Sequence, residues 1–255
     1  MTDVILPHDV HGHGSEPVIA LHGWLSDRHA FDAMVPLLDG AECTVAIPDI
    51  RGYGKAVDIA GEFTMAEVAR DTLTLADHLD WESFSLIGHS MGGKAAQQVL
   101  AMAPGRVRKI VGISPVPATG VPFDDPAEKL FHSAVSTPSA RREIIDMGTG
   151  HRYHPVWLDR MADHSVASST TAACAGYLAS WSGTDFHRDI VGMPVPMKVV
   201  VGAHDPDLDA ETMRATFLRW YPHCDLEVIE SAGHYAIDET PVALAAIVHE
   251  FIRPR

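Results

Sequence analysis

Six times along this chain a short, largely apolar run is closed by a turn signal, and most of these runs lead into a helical pattern. The runs are 18–21 ("VIAL"), 44–47 ("TVAI"), 84–87 ("FSLI"), 109–113 ("KIVGI"), 197–201 ("MKVVV") and 226–229 ("LEVI"). A strand with one wet face alternates apolar and polar residues. These runs do not alternate, so they predict strands buried on both faces, as in a parallel sheet covered by helices. Residues 4–10 and 17–21, flanking "HGHGSE", predict an antiparallel hairpin at one sheet edge. Helices are expected at roughly 29–38, 64–79, 90–103, 209–220 and 240–251, the second opening with the capping-box pair Thr64 and Glu67. Strand and helix in alternation predict an α/β fold with a mostly parallel, doubly wound sheet.

Residues 116–193 break the rhythm. They begin with the proline-rich "SPVPATGVPFDDP", hold no convincing strand, and continue as short helical pieces near 126–136, 139–147, 155–164 and 166–181. The expectation is a core built from 1–115 and 194–255, with 116–193 as a helical cap over one end of the sheet.

At 255 residues the chain can bury a sizeable core and a closed pocket. Its net charge of 19 − 34 = −15 repels phosphate backbones and anionic membranes, so neither a nucleic-acid nor a membrane partner is expected. Cys43, Cys174 and Cys224 show no paired spacing, which predicts reduced thiols and a cytoplasmic setting. The start, "MTDVILPHDVHGHG", has no basic segment before an apolar core, and no apolar stretch reaches the roughly 18 residues of a membrane span.

The chemistry centres on "GHSMGG", residues 88–93, where a serine falls between a strand and a helix. In a G-x-S-x-G turn the glycines remove side chains that would collide, and the hydroxyl of Ser90 is lifted above the sheet. The following helix aims its N-terminal N–H groups at the same place, favouring a developing negative charge. "LHGW" ends an earlier strand, so the backbone N–H groups of Trp24 and Met91 can serve as paired oxyanion donors. A serine needs a base and the base needs an orienting acid. "VVVGAHDPDLD" supplies Asp205 and "VIESAGHYAIDE" supplies His234, giving the order Ser, Asp, His.

With "LHGW", "PDIRGYGKA", "GHSMGG", "VGAHDPD" and "SAGHY" in that order, the sequence resembles the α/β-hydrolase superfamily along essentially its whole length. The resemblance implies a cap between strands six and seven, no cofactor, and Ser90, Asp205 and His234 as the catalytic triad. It favours Asp205 over Asp207 as the acid and makes Asp49 and Arg51 structural, Arg51 pairing internally. Asp209 is better placed to cap the next helix. His89, beside the nucleophile on a sharp turn, is expected to point away from the hydroxyl and to pack or hydrogen-bond.

Sixteen histidines raise the question of a metal, but none shows H-x-x-x-H or H-E-x-x-H spacing, so no metal is expected. Trp24, Met91, Tyr153, Trp157 and Trp181 are the expected substrate-binding residues, the last three drawn from a wider set of cap aromatics that includes Phe123, Phe131 and Tyr177. The implied activity is hydrolysis of a small-to-medium, fairly apolar ester or lactone through an acyl-enzyme. Carbon–carbon-bond hydrolases and perhydrolases of the same fold are the alternatives within the family. A ligand receptor or sensor built on the hydrolase scaffold is the alternative from another class.

Overall fold

The computed structural model describes residues 4–254, so the outermost three positions of the N-terminal stretch read above lie outside the described residues. Seven strands form one sheet. They are β1 (His8–Gly12), β2 (Glu16–Leu21), β3 (Cys43–Pro48), β4 (Phe84–His89), β5 (Val107–Ile113), β6 (Met197–Gly202) and β7 (Cys224–Ile229), in the order β1-β3-β2-β4-β5-β6-β7. Every neighbouring pair is parallel except β1 on β3. β2 and β4 are buried at every residue, as their unbroken apolar character demands.

The expected hairpin is a correction. β1 does not pair with β2. It runs antiparallel to β3, with His8 opposite Pro48 and Gly12 opposite Thr44. β2 lies between β3 and β4, parallel to both. An apolar strand needs neighbours on both edges, whereas β1, with its histidines and Asp9 partly or fully exposed, tolerates the rim. The "HGHG" segment therefore crosses past the start of β3, tied by His13 N to Gly40 O at 2.7 Å and Glu16 N to Glu42 O at 3.0 Å.

The helices are α1 (Met65–His78), α2 (Met91–Met102), α3 (Asp125–Ala134), α4 (Pro138–Gly148), α5 (Pro155–Ala167), α6 (Thr171–Gly183), α7 (Ala210–Ala215), α8 (Phe217–Trp220), α9 (Ala236–Glu239) and α10 (Pro241–Ile252). The single helix expected at 29–38 is instead two 3-10 turns, Arg28–Phe31 and Val35–Leu37, the second holding Pro36, which has no N–H for a continuous ladder. The helix expected at 209–220 divides at Thr216, whose hydroxyl donates back to Thr212 O at 2.6 Å. At α1 the Thr64 hydroxyl accepts from Glu67 N at 3.2 Å, while the Glu67 carboxylate reaches one residue further back, to Phe63 N at 2.8 Å.

Two apolar layers flank the sheet. Val18, Ile87, Val111 and Val200 pack with Leu244 and Val248 of α10 on one face, and Ile19, Leu86, Ile110 and Val199 pack with residues of α1 and α2 on the other. Each apolar side chain removed from water in this way contributes about 1.5–3 kcal/mol before entropy is subtracted.

α3 to α6 interrupt the strand sequence between β5 and β6. In this chain's own count that is between its fifth and sixth strands rather than its sixth and seventh, since the sheet carries seven. Main-chain acceptors tie this helical segment down. Trp24 Nε1 donates to Cys174 O at 2.9 Å, Lys94 Nζ to Trp181 O at 2.9 Å, and His234 N to Gly148 O at 2.7 Å. Arg51 forks onto Asp71 at 2.6 and 2.9 Å, and Asp49 receives Arg28 and the Lys55 amide, so both are structural here.

Candidate active site

Ser90 stands at the junction of β4 and α2 with φ +54° and ψ −116°, a backbone state costly to any residue with a side chain. Three main-chain bonds hold it there. Ser90 N donates to Ile113 O at 2.9 Å, and Ser90 O accepts from Gly93 N at 2.9 Å and Val116 N at 3.0 Å. Gly92 is required at this approach because a Cβ would run into the Leu21 carbonyl, and one at Gly88 would run into the backbone of Gly92. The glycines thus let the end of β2, the turn and α2 share one small volume.

That packing brings the "LHGW" segment beside the serine, with Gly23 set against Ser90 Cβ. The amides of Trp24 and Met91 have no acceptor among the described residues. The Ser90 hydroxyl likewise has no hydrogen-bond partner among them.

Asp205 follows β6 and His234 follows β7, so adjacent parallel strands deliver both to the same sheet edge. His234 Nδ1 lies 2.8 Å from Asp205 Oδ2. The other oxygen, Asp205 Oδ1, accepts from Asp207 N at 3.2 Å and Leu208 N at 3.0 Å. Asp205 is 5% exposed, yet its pKa is lowered, because the His234 charge and these hydrogen bonds outweigh the effect of burial. Burial pulls the His234 imidazole down, but Asp205 prevails and its pKa stands above the ordinary value. Asp207 makes no such pair, and burial together with Asp205 pushes it up. Asp209 caps α7 by accepting from Thr212 N at 2.8 Å.

His89 does not serve as a base here. Burial and the charge on His234 press its imidazole down to about 3, and its Nε2 lies 2.9 Å from His234 O. Since a carbonyl only accepts, Nε2 carries the hydrogen and donates it.

Ser90, Asp205 and His234 all line one cavity of about 360 Å³. Trp24, Phe123, Phe131 and Trp181 make an aromatic wall, with Phe123 and Phe131 stacked at 4.6 Å and Trp24 edge-on to Trp181 at 5.8 Å. Of the expected substrate-binding residues, Trp24 and Trp181 therefore reach the cavity. Tyr153, Trp157 and the Met91 side chain do not line it. Tyr153 and Trp157 pack on each other with tilted rings at 4.8 Å, with Trp157 meeting Tyr235 edge-on at 6.4 Å, and the Met91 side chain is buried in the main core. Tyr177 packs against Tyr53 and Phe63 instead. Sequence reasoning missed Leu25, Ile144, Met147 and Leu208 as lining residues; only the three-residue spacing of Ile144 and Met147 on α4 pointed to a shared face. No lysine or arginine among the described residues lines the cavity. Among the described residues, no group of His, Cys, Asp and Glu is arranged to hold a metal ion, and no helix is long and apolar enough to cross a membrane.

The family model for the alpha/beta hydrolase fold matches residues 16–241. The chain belongs to the α/β-hydrolase family. It is 28% identical to a non-heme chloroperoxidase of Streptomyces lividans, over 93% of this chain and 91% of that one. It is 39% identical to the 2-heptyl-3-hydroxy-4(1H)-quinolone dioxygenase of Mycobacteroides abscessus over 97 residues, a match that spans 38% of this chain and only 36% of that relative. Among solved structures of this hydrolase fold, the enol-lactonase from Burkholderia xenovorans LB400 superposes with a TM-score of 0.86 at 19% identity, covering 97% of this chain and 96% of that one. The esterase from Exiguobacterium antarcticum superposes with a TM-score of 0.84 at 20% identity, covering 96% and 94%. These neighbours of the same fold include esterases and lactonases.

Proposed function

We propose that this hydrolase is a serine carboxylesterase or lactonase, with Ser90, His234 and Asp205 as its catalytic triad. The observation that carries the reading is the 2.8 Å bond from the His234 imidazole to buried Asp205, on the rim of the cavity that also holds strained Ser90. His234 Nε2 takes the Ser90 proton as Oγ bonds to the ester carbonyl carbon. The amides of Trp24 and Met91 receive the oxyanion, and the alcohol leaves with the proton from His234. Water then repeats the sequence and frees the acid and Ser90. Catalytic hydrogen bonds often form only once substrate is bound, which fits a serine hydroxyl that has no partner among the described residues.

Residues 116–193 act as a cap over a core of 1–115 and 194–255. The aromatic wall and the absence of lysine and arginine from the lining favour a small-to-medium, uncharged, fairly apolar substrate. They count against the anionic dienoates of carbon–carbon-bond hydrolases. Free Cys43, Cys174 and Cys224 fit work in the cytoplasm.

The test is hydrolysis of short p-nitrophenyl esters and lactones by wild type and by Ser90→Ala. Turnover by the wild type that survives unchanged in Ser90→Ala would sink the reading. A second reading rests on the same Asp205–His234 pair and on the dioxygenase relative. An oriented imidazole can take a proton directly from an acidic hydroxyl of a bound heterocycle, without using Ser90. Consumption of O2 with a hydroxyquinolone, retained in Ser90→Ala, would favour it.

A further inference from the structure

The backbone around His234 is held on both sides of the imidazole. The buried carboxylate of Glu239 accepts from Gly233 N at 2.9 Å through Oε2 and from Tyr235 N at 3.0 Å through Oε1. His234 N donates to Gly148 O at 2.7 Å, and His234 O accepts from His89. Glu239 is in turn met by Arg152, from the turn between α4 and α5, whose guanidinium lies 3.2 Å from Oε2 and donates to Ser231 O at 2.7 Å. The Glu239 side chain is 0% exposed, so an ion there is tolerable only with this set of partners.

We propose that Glu239 is the positioning residue for the base at 234, bridging the amides on either side of it, and that Arg152 carries this hold into the helical segment over the cavity. The inference rests on His234 being the base of the hydrolase reading above. One carboxylate spanning residues i−1 and i+1 fixes the peptide planes that aim the imidazole, and an error of about 1 Å in such aim costs on the order of a hundredfold in rate. Gly148, the last residue of α4, lines the cavity and accepts from His234 N, so base and cap share a contact where the substrate sits.

The charge on Glu239 gives a second handle. The groups facing His234 are Asp205 and Asp207 from the loop after β6, His89 at the end of β4, Tyr235 beside it, and Glu239 on α9, with Arg152 behind Glu239. Glu239 is among the anions that favour the charged imidazole.

The test compares kcat, KM and the acid limb of the pH–rate profile for wild type, Glu239→Gln, Glu239→Asp and Arg152→Met on a short p-nitrophenyl ester. Each variant is first checked for a wild-type circular dichroism spectrum. We expect Glu239→Gln to lower kcat at least tenfold with KM held within about twofold, and to move the acid-limb midpoint down. Glu239→Asp keeps the charge but is too short to span both amides, so kcat falls while the midpoint stays. Arg152→Met, at the edge of the network, lowers kcat with KM unchanged and decides the matter alone if the Glu239 variants do not fold. Folded variants with kcat within twofold of wild type would overturn the proposal. The Nδ1 proton of His234, followed by NMR, separates this inference from the hydrolase reading. It should be sharp and far downfield in wild type and broadened in Glu239→Gln whether or not any ester is turned over. A signal unchanged in Glu239→Gln overturns the positioning role on its own.

Discussion

His234 Nδ1 and Asp205 Oδ2 are 2.8 Å apart, although the two residues stand 29 positions apart in the sequence. With Nδ1 as the donor, Nε2 is left with a lone pair, the form a general base requires. Asp205→Asn would present an amide that can stabilise the opposite tautomer. We expect this variant to fold and to lose roughly 10⁴-fold in kcat on a short ester. A loss below about tenfold would mean that the pair does not orient the base.

The same contact sets the pH dependence. The His234 pKa is raised, and the proposed base works only when neutral, so kcat/KM should fall as pH drops through a midpoint above the usual imidazole value. Asp207 also favours the charged imidazole. Asp207→Asn should therefore move the midpoint down and extend activity to lower pH. A midpoint that stays put, or moves up, in this variant would contradict the sign.

Much of this arrangement was legible in the amino-acid string, for a physical reason. Val18 to Leu21 and Phe84 to Ile87 are buried on both faces, so local composition alone reports strand and depth. Ser90 was legible because its turn needs glycine at fixed offsets. The partner of β1 was not, since an edge strand with polar residues fits either neighbour until the order of the whole sheet is known. Nor was the choice between Phe123 with Phe131 and Tyr153 with Trp157 for the cavity wall. All four are half-buried aromatics of the same helical segment, and only the docking of α3 and α5 decides which pair faces the serine. Glu239 was hidden differently. It sits on a helix of four residues, too short to show a period, and it acts on backbone atoms that leave no mark on the sequence.

Lys94 is fully buried one turn into α2, donating to Trp181 O at 2.9 Å and Thr184 O at 2.6 Å. Burial takes its ammonium down to about 7, against 10.5 for a free lysine. Between those values the unfolded chain holds a proton that the folded one lacks, so folding stability from this site rises with pH. In Lys94→Met that term vanishes, and two carbonyls lose their donor at a pH-independent cost of about 1–3 kcal/mol each. We expect the stability gap between wild type and Lys94→Met to widen in favour of wild type from pH 6 to pH 9 in urea titrations. A gap constant across that range would show that Lys94 stays charged in the fold.

The aromatic wall gives the last expectation. Trp181 is 5% exposed, lines the cavity, and has a buried indole N–H with no partner among the described residues. A buried donor left unpaired costs about 1–3 kcal/mol, so Trp181→Phe, which removes the donor and keeps most of the ring, should leave the fold at least as stable as wild type in urea titrations. Trp181→Ala takes the ring out of the wall, and in the folded variant KM should rise about tenfold for an all-carbon ester and for its counterpart with an added ether oxygen alike. Phe131→Ala opens the stacked wall and should raise KM for both, following lost apolar contact of about 3–5 kcal/mol shared between stability and binding. Trp157→Phe, away from the cavity and held by Tyr153 and Tyr235, should leave both KM values near wild type. An effect of Trp157→Phe as large as that of Trp181→Ala would place the substrate against the other aromatic pair.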